Sequence, residues 1–202
     1  MNKFPRSAYV HIPFCHRRCF YCDFAVIPLG NKVETLQGYG SKTVKEYLHF
    51  LYKEILSIKH KSPLSTIYVG GGTPSILDPL QIKELIDLFK ENYGVDYGAE
   101  ITMEVDPASF NLDDLHGFIN AGINRFSLGV QSFNNQILQK SGRRHLREDA
   151  EKSCLWLKKV YSAGLIKSWS LDLIQNLPLS GFNEWRDDLK KAITFLPPHI
   201  SI

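Results

Sequence analysis

The chain has 202 residues, with 24 Lys and Arg against 21 Asp and Glu for a net charge of +3, and its 44% hydrophobic and 22% charged shares exclude disorder, a collagen-like repeat and a disulfide-rich miniprotein. So small a charge, with no arginine-rich stripe, gives no argument for nucleic acid as a partner. No apolar run approaches the ~18 residues of a membrane span, and no h-region of a secretory signal precedes the first strand-like segment, so the chain reads as cytoplasmic.

In chain order, Ser7–His11 reads as a short strand. Thr43–Lys59 then places Val44, Tyr47, Leu48, Leu51, Ile55 and Ile58 at helical spacing. Thr66–Val69 reads as a strand running into Gly70-Gly71-Gly72-Thr73-Pro74, and Pro79–Asn92 as a helix stopped by Gly94. Glu100–Val105 is a strand closed by Asp106-Pro107, followed by a short helix over Asp113–Ala121. Arg125–Val130 is the next strand, with helical patterns over Asn134–Ser141 and Arg147–Ala163. Trp169–Ile174 is a strand and Phe182–Leu196 a helix, after which His199–Ile202 reads as the opening of a sixth strand.

Five βα units in succession predict an α/β fold with a parallel sheet and helices outside, either doubly wound or barrel-like. The sequence stops inside an element, so we expect a fragment of a longer protein whose missing part is C-terminal. We also expect Trp169–Ile174 to be left as an open, apolar edge. The longest loop, Phe24–Lys42, has a length suited to covering a site.

In βα architectures ligands bind at the carboxyl ends of the strands. Here those ends carry the unusual residues: three cysteines after the first strand, the glycine triplet after the second, Glu104 and Asp106 at the third, Gln131 after the fourth and Asp172 in the fifth. Cys15, Cys19 and Cys22 lie within eight residues, while Cys154 stands alone in a helical pattern and reads as a small buried apolar residue. An odd cluster in a cytoplasmic chain points to metal or redox chemistry rather than disulfides. Zinc would need a fourth ligand from His11 or His16. An iron–sulfur cluster of the [4Fe-4S] type would hold three irons on three thiolates and keep one iron open to a ligand. The glycine segment lacks the Lys-Ser/Thr of a P-loop and the G-x-G-x-x-G of a dinucleotide turn, which argues against a nucleotide phosphate.

The run Tyr9-Val10-His11-Ile12-Pro13-Phe14-Cys15 through Cys19-Phe20-Tyr21-Cys22-Asp23-Phe24 resembles the cluster motif of the radical S-adenosylmethionine (SAM) superfamily. Within it, the chain is similar to the group of HemW heme chaperones and oxygen-independent coproporphyrinogen III oxidases. Gly70–Pro74, Met103–Pro107, Ser127–Phe133, Arg143 and the Asp172-Leu173-Ile174…Leu177-Pro178 segment match the group in order. The resemblance implies a partial (β/α)6 TIM-like barrel of the radical SAM type, truncated near the start of strand six, with residues 1–202 as its core domain and a C-terminal domain beyond. It implies Cys15, Cys19 and Cys22 as ligands of a [4Fe-4S] cluster. It further implies SAM held by Tyr9, Tyr21, Gly71, Gly72, Thr73, Glu104, Gln131, Arg143 and Asp172. His11 and His16 read as supporting residues, and Asp106 as a turn residue before Pro107. The implied partners are heme or a porphyrinogen, heme-acceptor proteins, and a reducing electron donor such as flavodoxin or ferredoxin. Phe24 stands where the oxidases carry a further cysteine, and only eight residues precede Tyr9 where they have a longer segment, so a heme chaperone is expected ahead of an oxidase. One departure is Gln175-Asn176, where relatives commonly have an aromatic residue and a glycine.

Overall fold

The structure, a computed structural model, describes residues 4–30, 39–58 and 62–202. Strand β1 (Ser7–Ile12) is followed by a short parallel ladder of β2 (Phe14–Cys15) with β3 (Ile27–Pro28). The βα units continue with α1 (Tyr39–Ser57), β4 (Leu64–Gly71), α2 (Pro79–Asn92), β5 (Val95–Val105), α3 (Leu112–Ala121) and β6 (Arg125–Gln131). The chain then runs through α4 (Asn135–Lys140), α5 (Arg147–Ser162), β7 (Ser168–Leu173), α6 (Phe182–Thr194) and β8 (His199–Ser201). Residues 31–38 of the long loop expected after the cysteines lie outside the described residues.

One parallel sheet takes the strands in the order β1-β4-β5-β6-β7-β8. Each new strand joins the same edge, so the order never reverses. A doubly wound sheet has a reversal point, and this sequence of pairings is instead that of a barrel wall. β8 pairs with the middle of β7, His199 opposite Ser170 and Ser201 opposite Asp172. Trp169–Ile174 is therefore not wholly the open edge the sequence suggested: Ser170, Leu171 and Asp172 are paired. β5 starts earlier than its apolar pattern implied, because its first residues form an irregular stretch around Gly98, at φ 86°, where the register with β4 shifts.

Away from the register shifts in β5 and β6, the strands alternate. Val10, Ile12, Ile67, Val69, Ile101, Met103, Phe126, Leu128, Trp169 and Leu171 point to the helix side and are buried against Ile82, Leu85, Phe118 and Leu157. Each such side chain contributes about 1.5–3 kcal/mol by leaving water. Tyr9, Tyr68, Glu104, Ser127, Ser170 and Asp172 occupy the intervening positions on the other face. Side-chain caps start the helices on time: Asp78 accepts from Leu80 N, Asn111 from Asp113 N, and Asn134 from Gln136 N.

Helix α6 is tied to the end of β6 by Asp188, which is 4% exposed. One carboxylate oxygen accepts from Phe133 N at 2.7 Å and the other from the Ser132 hydroxyl at 2.7 Å, immediately after Gln131. Asp188→Ala leaves both donors buried without an acceptor, at about 1–3 kcal/mol each. The urea midpoint is expected to fall accordingly, while the exposed neighbour change Asp187→Ala leaves it within experimental error. Equal midpoints for the two variants would contradict the role given to Asp188.

Candidate functional site

The cysteine loop is fastened at several points. Leu29 N donates to Cys15 O at 2.8 Å and Gly30 N to His16 O at 2.8 Å. Phe20 N donates to Ser141 O at 3.0 Å, and Arg18 Nε to Cys22 O at 3.0 Å. Cys15, Cys19, Cys22 and Cys154 are all free thiols, with Cys15 buried and Cys19 and Cys22 half-buried. Cys154 is wholly buried among apolar side chains, and that burial pushes its thiol up to about 12, as a small core residue should behave.

The turn after β4 presses directly on this loop. Gly72 N donates to Ile12 O and Thr73 N to Phe14 O, both at 2.8 Å, and the Thr73 hydroxyl lies 3.4 Å from Cys15 Sγ. A Cβ at Gly72 would stand 2.6 Å from Phe14 O and 2.9 Å from Cys15 Sγ, so only glycine permits the approach. Gly71 has φ 117°, and its N–H donates to Glu104 Oε2 at 3.0 Å.

A cavity of about 260 Å³ opens over these groups at the carboxyl ends of the strands. Cys15, Cys19, Cys22, Tyr21, Gly71, Gly72, Thr73, Glu104, Gln131, Arg143 and Asp172 all line it. Tyr9 does not. It is 58% exposed, stacks on Tyr68 with ring centroids 6.0 Å apart, and hydrogen-bonds His11 Nδ1 at 3.1 Å. His11 in turn reaches Ala25 O at 2.9 Å, the supporting position expected of it. Gln131 sits at a register shift between β6 and β7 with φ 67°, which turns its side chain into the cavity wall. Asn176, the departure from the family pattern, has φ 61°, a left-handed conformation that asparagine tolerates.

Two residues have a partner that the sequence did not show. Asp106 does form the turn, its Oδ1 accepting from Ala108 N at 3.2 Å, but its other oxygen pairs with Arg143. Arg143, which the resemblance assigns to SAM, is thus met by a carboxylate of the chain itself. The same guanidinium donates to Gly129 O at 2.7 Å and contacts Tyr21 Oη at 3.4 Å and Cys19 Sγ at 3.8 Å. Tyr68, Ser127 and His145 were given no place in the site by the sequence. Tyr68 Oη donates to Glu104 Oε1 at 2.8 Å, and Ser127 Oγ to Asp172 Oδ2 at 2.6 Å. The alternation of β4 and β6, which puts both residues on the face carrying Glu104 and Asp172, was the available signal. Arg17, Arg18, Arg144 and His16 add basic groups to the lining.

The electrostatics divide the cavity. Burial raises the Glu104 and Asp172 carboxyls above the usual range, more than their hydrogen bonds from Tyr68 and Ser127 lower them. Burial also works against the charge on Asp106, yet the guanidinium of Arg143 and the other donors hold its carboxyl below the usual value. His145 is pushed down to about 4, first by burial and then by Arg143. It is neutral at pH 7. Since a guanidinium only donates, His145 Nδ1 accepts from Arg143 at 3.2 Å, which assigns the proton to Nε2, facing Val130 O at 3.1 Å.

Three soft thiols on one wall suit an iron–sulfur cluster, which takes one thiolate per iron rather than gathering all of them on one ion. Among the described residues, no group of three His, Cys, Asp or Glu is placed to hold a single metal ion. Arg143 Nε and Asp172 Oδ1 are buried without a hydrogen-bond partner among the described residues, a donor and an acceptor suited to a ligand that carries both kinds of group. None of the helices is long and apolar enough to cross a membrane, among the described residues.

The family model of the radical SAM superfamily matches residues 9–172. The chain is 40% identical over 198 residues to a heme chaperone HemW from Synechocystis, covering 98% of this chain and 46% of that one. It is 35% identical over 204 residues to an oxygen-independent coproporphyrinogen III oxidase from Salmonella typhimurium, covering 98% of this chain and 41% of that one. The solved coproporphyrinogen III oxidase HemN from Escherichia coli, a radical SAM enzyme, superposes with a TM-score of 0.81 at 32% identity, over 98% of this chain and 44% of that one. The chain spans about half the length of the heme chaperones it matches. Membership of the matched family implies a [4Fe-4S] cluster and SAM binding, and the thiols and polar groups of the cavity fit both. On its fold, its cavity and this match, the chain belongs to the radical SAM superfamily.

Proposed function

We propose that Cys15, Cys19 and Cys22 hold the [4Fe-4S] cluster, and that SAM binds across the cavity beside it. Three thiolates on four irons leave one iron free for a chelating ligand, and the three free thiols on one cavity wall carry this reading. The cluster supplies one-electron reducing chemistry when bound. The chain's own residues bind and orient. Gly71, Gly72 and Thr73, whose N–H groups already donate within the chain, bring the backbone to close range, Glu104 and Asp172 accept hydrogen bonds, Gln131 and Arg143 fix polar edges, and Tyr21 offers a ring to the adenine. Tyr9, outside the lining, acts at the rim through its stack on Tyr68.

We further propose a heme chaperone of the HemW type, which hands heme to acceptor proteins after reduction by a donor such as flavodoxin or ferredoxin. Residues 1–202 form its radical SAM core, and heme-binding groups lie in a further, C-terminal part. Identity to heme chaperones across 98% of this chain supports this reading, as does Phe24, on the cavity wall where the oxidases carry a further cysteine. A second reading, oxidative decarboxylation of coproporphyrinogen III, is favoured by the close superposition on the oxidase HemN.

Anaerobic reconstitution with iron and sulfide is expected to give a brown protein with about four irons per chain. Cys15→Ala, Cys19→Ala and Cys22→Ala each abolish this uptake, and Cys154→Ala preserves it. A colourless protein that retains stoichiometric zinc would overturn the assignment.

Glu104→Gln is expected to weaken SAM binding at unchanged iron content, since losing a charge-assisted hydrogen bond costs on the order of 1.5–3 kcal/mol, tenfold or more in affinity. Titration calorimetry on the reconstituted protein reads this directly; equal affinities would remove Glu104 from the SAM site.

The full-length protein is expected to bind heme and pass it to an apo heme protein, with no conversion of coproporphyrinogen III under reducing, SAM-supplied, anaerobic conditions. Absorbance of the acceptor and chromatography of the porphyrins separate the two functions. Vinyl-containing product without heme transfer would establish the oxidase instead.

A further inference from the structure

We infer that Arg143, its guanidinium held by Asp106, tunes the iron–sulfur cluster by directing that guanidinium at the Cys19 sulfur. The inference rests on the cluster assignment proposed above and goes beyond it, since that assignment gives Arg143 a role toward SAM only.

The geometry around the guanidinium is asymmetric. Its Nη2 arm is anchored by Gly129 O at 2.7 Å, by the Asp106 carboxylate and by His145 Nδ1 at 3.2 Å. A guanidinium is a rigid planar fork, so anchoring one arm fixes the direction of the other. That second arm, Nη1, points between Cys19 Sγ at 3.8 Å and Tyr21 Oη at 3.4 Å. The Arg143 side chain is only 10% exposed, so water does little to screen its charge. A buried arginine without a counter-charge would be costly, and Asp106 supplies the counter-charge at the Nη2 arm, the arm not directed at Cys19. The pair is neutral as a whole and presents its positive end to the sulfur.

Hydrogen bonds to cluster sulfurs and local charge are levers on cluster potential. Adding an electron makes a cluster more negative, so a cation held at a ligand sulfur stabilises the reduced form and raises the potential. Arginine at this place eases reduction by a donor whether or not SAM is bound.

The test is a redox titration of the full-length, reconstituted protein, followed by electron paramagnetic resonance, in the absence of SAM. A residue acting only on SAM has no effect under that condition. Arg143→Gln is expected to lower the midpoint potential, shifting the reduction equilibrium tenfold or more, which is about 59 mV for one electron. Arg143→Lys keeps the charge but loses the fork, and its potential is expected between the other two. Full iron content with a potential unchanged in Arg143→Gln would overturn the tuning and leave the cluster assignment standing. A wild-type chain that takes up no iron refutes the assignment and the tuning together. If Arg143→Gln loses its iron, Arg143→Lys decides; loss from both with the fold intact on circular dichroism would make Arg143 a determinant of cluster retention and also overturn the tuning.

Discussion

The site depends on a seam of backbone between the end of β1 and the turn after β4. Gly72 N and Thr73 N donate to Ile12 O and Phe14 O, and this extends the parallel pairing of β1 with β4 past the last strand residues. The extension carries the chain into the cysteine loop on one side and into the glycine turn on the other. It brings Cys15 Sγ within contact of Thr73 and leaves no space for a side chain at Gly72. Close approach here is a consequence of strand pairing, and the glycines are the residues that allow the pairing to continue. Cys19 and Cys22 are then hung from Cys15 by a loop whose far side is fastened to Ser141, at the end of α4.

The second determinant is the polar inner face of the sheet. Parallel sheets covered by helices on both faces read as continuous apolar runs. These strands alternate instead, with one face buried in the helix-side core and the other carrying hydroxyls and carboxylates that bond across strands. Such a face has to meet polar surroundings, and it becomes the floor of the cavity. Because Glu104 lies opposite Ser127, and Gly129 opposite Asp172, strand register alone sets the spacing of the acceptors.

Most of this arrangement was legible in the sequence because it is local. The three cysteines, the glycine triplet and the strand-end residues are short motifs, and their convergence follows from the rule that βα units put their carboxyl ends on one rim. What was not legible was pairing at a distance. Asp106 looked like a turn residue because its own neighbours make it one, while its bond to Arg143 spans 37 positions. Tyr68 and Glu104 are separated by 36 positions and meet only through the register of β4 with β5. Tyr9 shows the converse: motif position assigned it to the site, and its strand places it one ring beyond the lining, stacked on Tyr68. The pairing of β8 with β7 was missed for a simpler reason, since four terminal residues carry too little pattern to show that they complete an edge.

Charge placement gives the cavity a direction. Arg143 lies at the cysteine end, held there by Asp106, while Glu104 and Asp172 lie deeper along the sheet with carboxyls raised by burial. Raised carboxyls ionise more readily when a cation or a set of donors arrives, so they favour the positively charged or donor-rich part of a ligand. A guanidinium at the opposite end favours the anionic part. Under the proposed assignment, a ligand with both anionic and donor-rich groups meets different partners at these two places in the cavity. The same separation keeps Asp106 from competing with Glu104 and Asp172 for that ligand, because its charge is already spent on Arg143. Under that assignment the groups that meet the ligand are hydrogen-bonded in place before it binds, which lowers the ordering cost that a flexible site would add to binding.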